Sequence, residues 1–489
     1  MLSKSQIMRG LQCEKSLWLR THKPEERQVP EKVEGRFEQG TSIGELAQLL
    51  FPNGTLVEFQ HNNLELMCDQ TQDFIEQGCK TIYEATFKGN GVFASVDILY
   101  KDTRGWHIYE VKGSTQLKGI YVQDSACQYL AVKGQLDIAT INIIYVNNKY
   151  TRNGDLDIEQ LFCIEDITES VREAELHLIP VVTKLHDSKK QMEEPRIVIG
   201  LHCSSPYPCD FSKYCRRHLT KPNIFNLYRF KKEKKYQHYQ NGVVTYQQAK
   251  ENLRLNKTQQ LQVNSYLDNK THIDLKKIQS FINKIEFPIS YFDFETFNEA
   301  IPRFDGQRPY QQMPFQYSLH IEEQNGEISH KEFLADENLE PRKELAEAML
   351  ADVPQTGSIM AFNQSFEISR IKELAEFLPE YKEALLALVP RFVDLIEPFR
   401  KLGFYHPDFH GSFSIKAILP AMFPNAPDLD YKQLEIQNGG MAMDTFASLP
   451  RLKDQEQREQ IRDALLAYCK LDTWAMVKIT QKLRLLGQV

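Results

Sequence analysis

The chain has 489 residues, of which 42% are hydrophobic and 26% charged, and its formal net charge is -7. That length exceeds one ordinary core, so two or more domains are expected, and the acidic balance excludes a surface that is basic throughout, so any face for nucleic acid must be local. No run approaches the roughly 18 apolar residues of a membrane span, and the opening "MLSKSQIMRGLQCEKSLWLR" reads as a polar helix without the apolar core of a secretion signal, so a cytoplasmic protein is expected.

Nine cysteines without such a signal argue against a disulfide framework and for metal ligands or free thiols. Cys13 stands alone near the start, whereas "LHCSSPYPCDFSKYC" places Cys203, Cys209 and Cys215 six residues apart in a Pro- and Ser-rich loop. Four thiolates hold either zinc or an iron–sulfur cluster, and neither spacing nor ligand type separates the two. Joining Cys13 to the later three closes about 190 residues. By the logarithmic closure law this removes on the order of 5 kcal/mol of unfolded-state freedom. Cys68, Cys79, Cys127, Cys163 and Cys469 lie in amphipathic segments and read as packing residues.

Between the stapled ends, "GVFASVDILYKDTRGWHIYEVKGS" predicts a hairpin: two β-branched and aromatic runs flank the turn "KDTRG". Asp97, Glu110 and Lys112 lie at its ends. Glu110 and Lys112 are two apart on a strand and share a face, where carboxylates bind a divalent cation and the ammonium steadies developing phosphorane charge. Glu84 in "TIYEATF" could face the same site but reads first as solvated at a strand edge, and a helix follows the hairpin in "GIYVQDSACQYLAVKG".

In this order, Cys13, the Asp97/Glu110/Lys112 hairpin, the following helix and Cys203/Cys209/Cys215 resemble the RecB-type PD-(D/E)XK nucleases that carry an iron–sulfur cluster, including CRISPR-associated members. The resemblance covers about residues 1 to 220. It implies a restriction-endonuclease-like fold, a cluster of the 4Fe-4S type, DNA as substrate, and an acid from an early helix completing the metal site. "FEQGTSIGELAQLLF" offers Glu45 for that acid, with Glu38 as a rival. Gln128, beside Tyr129, stands where the family's glutamine–tyrosine helix motif would touch substrate.

After Cys215, "NLYRFKKEKKYQHYQNG" interleaves cations with aromatic rings, a mixture suited to phosphates and bases and equally to a basic linker. Helical periodicity continues to about residue 286, so residues 221 to 286 are expected to form a basic helical connection.

The last two hundred residues carry a second set of acids. "FPISYFDFETFNEA" predicts an apolar strand with Asp293 and Glu295 on one face, and "QMPFQYSLHIEE" a neighbouring strand. "SIMAFNQSFEISRIKELAEFL" runs from strand into helix with Asn363 at the turn and Glu367 in the first helical turn, where the helix dipole favours a carboxylate. "ALLAYCKLDTWAMVKI" predicts a helix with Tyr468 and Asp472 one turn apart, their polar ends meeting on one side. Four acids on three separated elements would repel one another without metal, and together they suit a binuclear centre. Asp394, His406, His410 and Asp444 read as turn or surface residues.

This region resembles the DEDD exonucleases of the RNase H-like fold, in the branch whose last motif is Y-x-x-x-D. "DFET", "NQSFE" and "YCKLD" match the three motifs in order, and "GSFSIKAILPAMF" resembles the stretch before the third. The resemblance implies 3′–5′ exonuclease chemistry on Mg²⁺ or Mn²⁺. Asp293, Glu295, Glu367 and Asp472 become ligands, and Tyr468 orients the attacking water. The second-motif acid is Glu367 where the family has Asp, which bears on rate and metal preference.

The expectation is thus a mixed α/β protein with two nuclease domains, residues 1 to 220 and 287 to 489, joined by the 221 to 286 segment and hydrolysing phosphodiester bonds, with DNA ahead of RNA, in repair or phage defence beside a helicase or another repair or defence partner. The alternative of another class is a catalytically silent iron–sulfur module that binds nucleic acid and recruits partners.

Overall fold

A computed structural model describes residues 1–28, 34–60 and 63–487, with residues 34–39 described by backbone alone. The chain is mixed α/β and divides into two units, Met1–His218 with Glu299–Tyr310 and Leu219–Asn298 with Gln311–Val489. No helix among the described residues is long and apolar enough to cross a membrane.

The first unit is built on seven strands: β1 (Leu2–Ser3), β2 (Thr55–Leu56), β3 (Thr81–Gly89), β4 (Val92–Asp102), β5 (Gly105–Lys112), β6 (Ile138–Val146) and β7 (Phe162–Asp166). They are ordered β2-β3-β4-β5-β6-β7, with β1 alongside β4. The predicted hairpin is β4–β5, in which Asp102 pairs with Gly105 and Ile98 with Tyr109. A second hairpin, β3–β4, turns on Asn90 and Gly91 at φ of 51° and 80°, the left-handed pair that a two-residue turn needs and that Asn-Gly supplies at little cost. Strands β5 and β6 are parallel, so the chain must cross over the sheet, and the helix Gly119–Val132 does so. Ala126, Cys127, Leu130 and Ala131 of that helix are buried in one apolar cluster with Ile82, Val96 and Ile108 of the sheet.

The two ends of this unit are tied beside the cysteine loop. Arg9, on the helix Lys4–Gln12, donates to both Asp210 carboxylate oxygens at 2.6 and 3.0 Å. Gln12 Nε2 donates to the carbonyls of His202 and Tyr207 at 2.7 Å, and Trp18 Nε1 donates to the Gln191 carbonyl at 2.9 Å.

In the second unit β8 (His272–Ile273) pairs with β14 (Phe404–Tyr405). The main sheet contains β9 (Ile289–Phe297), β10 (Met313–Glu322), β11 (Ile328–Leu334), β12 (Ser358–Ala361) and β13 (Phe392–Asp394), in the order β11-β10-β9-β12-β13. The first three are antiparallel neighbours, and β9, β12 and β13 run parallel. Alternation sorts the faces of β9. Phe292 and Phe294 join Leu345, Met349, Ile371 and Leu374 of the helices Arg342–Asp352 and Ser365–Phe377 in one core cluster. Asp293 faces the other way, toward the 33-residue helix Gln455–Gly487, whose Cys469 Sγ lies 3.8 Å from the Asp293 carbonyl oxygen.

Residues 219–286 group with this second unit. Their helices Lys232–Gln240, Tyr246–Asn252, Lys257–Leu267 and Leu275–Ile282 agree with the helical periodicity. Ile224, Leu227, Val243, Tyr246, Ala249 and Val263 give them a core of their own, which a bare linker would lack. Of the rings of "NLYRFKKEKKYQHYQNG", Tyr236 is buried and the others are half-buried, and the preceding Phe225 packs on Tyr236 and Tyr239 at ring distances of 5.1 and 5.4 Å. Stacking on bases, expected of these rings, is therefore closed to Tyr236.

Candidate functional site

Strands β9, β12 and β13 end on the same side of the sheet, the usual place for a site in an α/β layer. Asp293 lies at the middle of β9 and Glu295 two residues further along the same face. Asp472 comes from the helix Gln455–Gly487, one turn after Tyr468. One ligand oxygen from each of Asp293, Glu295 and Asp472 lies within 4.8 Å of the others, making them the one such group of three among the described residues. Burial, then the charges of Asp472, Glu295 and Glu367, holds the Asp293 carboxyl well above the usual carboxylate range. Burial followed by the Asp472 charge does the same to Glu295.

Glu367 enters from the first turn of the helix Ser365–Phe377, beyond the end of β12. It is only 3% exposed, and its Oε2 has no hydrogen-bond partner. Burial and the charge of Asp394 push its carboxyl up to about 8. Asp394 was expected to be a plain turn or surface residue, but it closes β13 with Oδ1 accepting from the Asn363 N–H at 2.8 Å and so fixes the loop that delivers Glu367. His406 does behave as a turn residue: it caps Pro407–Phe409, its Nδ1 accepting from the Asp408 N–H at 3.2 Å.

Tyr468 is buried, and burial together with Asp472 and Glu295 keeps its phenol protonated far above the ordinary range. Two neighbours escaped the sequence reading. Tyr431 donates to Asp472 Oδ1 at 2.5 Å, and the Lys416 ammonium lies 4.9 and 5.3 Å from the ring centres of Tyr431 and Tyr468. Lys416 sits in the "SIKAIL" stretch, where its place in the third dimension leaves no spacing signal. Cys469, expected to be simple packing, is buried against Asp293, with its Sγ 4.0 Å from Oδ2.

The donor set is all oxygen, buried and mutually repelling, with one carboxylate oxygen left without a partner. Such a set fits a hard divalent cation of the Mg²⁺ or Mn²⁺ kind. Its consequence without metal has a definite sign. A carboxyl whose folded pKa exceeds its ordinary 4.5 keeps a proton that the unfolded chain releases, so stability falls as pH rises from about 4.5 towards 8. In EDTA the chain should melt at lower temperature at pH 8 than at pH 5.5. Mg²⁺ should raise Tm more at pH 8, and Glu367→Gln should flatten the fall; a Tm insensitive to both changes would mean that these acids do not repel one another.

The first unit gathers its own charges. Asp97 Oδ2 accepts from the Val111 N–H at 2.7 Å, and burial with the Glu110 charge pushes its carboxyl up to about 8. Glu110, 2% exposed, is held by Lys112 and by Lys4 Nζ at 2.7 Å. Lys112 also reaches Asp124 Oδ2 at 2.5 Å. Lys4 and Asp124 were missed, although Asp124 lies one helical turn before Gln128. Gln128, expected at the substrate, is fully buried, its amide nitrogen donating to Glu110 and to the Ser95 carbonyl, so it orients Glu110. Glu45 is exposed on the helix Glu34–Gln48 while Ile43 and Ala47 turn inward. The side chain of Glu38 lies outside the described residues.

Glu84 departs from its solvated reading. It stands at φ 55° in β3, skipped between the pairs Tyr83–Ile98 and Ala85–Val96, and burial with the Glu110 charge raises its pKa. It thus borders the Glu110 cluster.

Cys13, Cys203, Cys209 and Cys215 line one cavity together with Lys15 and His202. Burial pushes the Cys13 thiol up to about 11, with the nearby Cys209 and Cys203 adding to it, and burial likewise raises Cys203 and Cys215. No three of the four sulfurs lie within 4.8 Å of one another.

Residues 290–414 match a domain of unknown function (DUF2779), a stretch that holds Asp293, Glu295 and Glu367 and ends before Lys416. The chain is 29% identical over 236 residues to an uncharacterised protein of Ureaplasma parvum serovar 3, covering 44% of this chain and 34% of that protein. Uncharacterised proteins of Mycoplasma pneumoniae and Mycoplasma genitalium are 30% and 29% identical over 223 residues, 42% of this chain and 33% of each relative. The chain thus spans about a third of the length of the curated relatives it matches. No solved structure matches.

Proposed function

We propose that the chain is a metal-dependent nuclease whose principal centre is the acid set of the second unit, with DNA ahead of RNA as substrate. The observation that carries this reading is the convergence of Asp293, Glu295 and Asp472 within 4.8 Å, Glu295 and Asp472 buried and Asp293 half-buried, all three resisting ionisation beside one another. The strand order β11-β10-β9-β12-β13, with acids at the ends of β9 and β13 and after β12, supports an RNase H-like, DEDD-type exonuclease domain. The β3-β4-β5-helix-β6 arrangement with Asp97, Glu110 and Lys112 on β4 and β5 supports a PD-(D/E)XK-like first unit.

Asp293, Glu295, Glu367 and Asp472 would hold the ions. When bound, Mg²⁺ or Mn²⁺ supplies Lewis-acid stabilisation of the entering and leaving oxygens. Tyr431 fixes the rotamer of Asp472 through its 2.5 Å hydrogen bond. Tyr468, protonated at working pH, offers a hydroxyl that orients the attacking water. Lys416 offsets part of the negative charge around them.

The four cysteines would hold an iron–sulfur cluster, with Cys13 brought to the later three by the Arg9–Asp210 and Gln12 contacts. The first unit also admits a second reading, as a cluster-bearing binding module, because Glu110 is already neutralised by Lys4 and Lys112.

The experiment is release of nucleotides from end-labelled single-stranded and duplex DNA and RNA, with Mg²⁺ or Mn²⁺ and with EDTA, using a chain that already carries Glu110→Ala. Metal-dependent product is expected, slowed about 10²-fold by Tyr468→Phe, the scale of one positioned acid–base group. Asp463→Asn, at an exposed position on the same helix, should be neutral. Tight binding without product would return the chain to the module reading.

A further inference from the structure

Unbalanced positive charge in the second unit is gathered away from the basic stretch singled out by sequence. Lys257, Lys276, Lys277, Lys284, Arg400 and Lys401 line a single cavity of about 490 Å³ in which Glu397 is the one carboxylate. Glu397 accepts from Lys284 at 2.5 Å and from Lys401 at 2.7 Å, and Lys277 pairs with Asp274 at 3.1 Å. The cations therefore outnumber their carboxylates in a chain whose net charge is -7. Exposed like charges repel and are scattered on most surfaces, so this concentration favours a polyanion with several phosphates over a single small anion.

The groove also has a direction. Arg400 Nη1 donates to Asn363 Oδ1 at 3.2 Å, and Asn363 is the turn residue, at φ 73°, held by Asp394 and followed four residues later by Glu367. One end of the cationic groove is thus bonded to the loop that delivers an acid to the candidate metal centre. Lys257, at the start of the helix Lys257–Leu267, and Lys276, on the helix Leu275–Ile282, line the same groove.

We propose that this groove is a binding track for the phosphate backbone of a single nucleic-acid strand, leading it toward the acid centre. The assignment rests on the nuclease reading of that centre. Phosphate contacts of this kind carry no base preference, so the track contributes affinity and register, and selection among bases lies elsewhere.

The test is binding of a fluorescein-labelled single-stranded DNA to the full chain in EDTA, followed by anisotropy across a salt series. Lys257→Ala, Lys276→Ala and Lys401→Ala combined should weaken binding at least about 10-fold at low salt and reduce the slope of log K against log salt by about 2, at about 0.7 per lost single-strand phosphate contact. Lys231→Ala, Lys232→Ala and Lys234→Ala combined, in the basic stretch, should change both far less. Equal losses from the two triple variants would make the effect bulk charge and overturn the track, as would an unchanged slope in the first variant. A parent chain with no affinity for the strand would overturn it too. Binding read without metal separates the two ideas: a strand held through these lysines but never cleaved sinks the nuclease reading alone, whereas cleavage with affinity untouched by the first triple variant sinks the track alone.

Discussion

Asp293→Asn should reduce metal-dependent release of nucleotides by about 10³-fold, the upper scale for removing one electrostatic contributor from a preorganised site, while making the metal-free protein more stable. The two effects have one cause. Asp293 is half-buried on β9 near Glu295, Asp472 and Glu367, and its carboxyl is held well above the usual range by desolvation and by those charges. An amide of the same shape keeps the packing against Cys469 and removes one source of repulsion. In EDTA at pH 8, Tm should therefore rise by a few degrees, since about 1 kcal/mol shifts a domain of this size by about 2–4 °C. Added Mg²⁺ should stabilise the parent more than the variant, because the variant has lost a ligand charge. Single-turnover assays in a Glu110→Ala background, paired with thermal melts with and without Mg²⁺, measure both arms. An Asp293→Asn chain that keeps the parent rate would remove the acid set from catalysis, and one that melts lower than the parent in EDTA would show that Asp293 serves the fold.

The acids of the second unit were legible because each lies at a place that sequence marks well. Asp293 and Glu295 interrupt an otherwise apolar strand with period two, Glu367 opens a helix after a short strand, and Asp472 follows Tyr468 by one helical turn. Tyr431 and Lys416 carry no such mark. They reach the site from the turn Tyr431–Gln433 and the helix Ile415–Met422, and only tertiary folding brings them to Tyr468. Asp394 was read as a turn or surface residue and not as an acid beside Glu367, since the register of β12 with β13 decides it.

In the first unit the hairpin was visible and its electrostatics were not. Lys4 lies 106 residues from Glu110 in sequence yet 2.7 Å away in space. Gln128 was expected at the substrate from the glutamine–tyrosine motif, but its helix crosses the sheet with Gln128 on the buried side. In the basic stretch after Cys215, alternating cations and rings cannot tell rings that pack from rings that wait for a base, and Ile224, Leu227 and Val243 supply a core against which Phe225 and Tyr239 pack. The cations of the lysine-lined cavity belong to three separate segments, 257, 276–284 and 400–401, which no window on the sequence would join.

Cys13→Ser should abolish the cluster and lower the melting temperature of the first unit while leaving metal-dependent hydrolysis by the second unit intact. The size of the effect follows from loop length. A link from Cys13 to Cys203 closes about 190 residues, and such a closure removes on the order of 5 kcal/mol of unfolded-state freedom. The fold does not depend on that link alone. Arg9 to Asp210, Gln12 to the carbonyls of His202 and Tyr207, and Trp18 to the Gln191 carbonyl also hold the ends together. The variant should accordingly remain folded at low temperature but lose brown colour, iron and labile sulfide. Cys203→Ser, Cys209→Ser and Cys215→Ser should behave alike, because all four thiols line the same cavity. Cys163→Ser, at a half-buried position on β7 outside that cavity, should keep the parent's iron content. The measurements are iron and sulfide assays and visible absorbance on protein purified without oxygen, with a two-transition melt to separate the units. Stoichiometric zinc without iron in the parent would replace the cluster by a zinc site, and a Cys13→Ser protein that retains full iron would take Cys13 out of the ligand set.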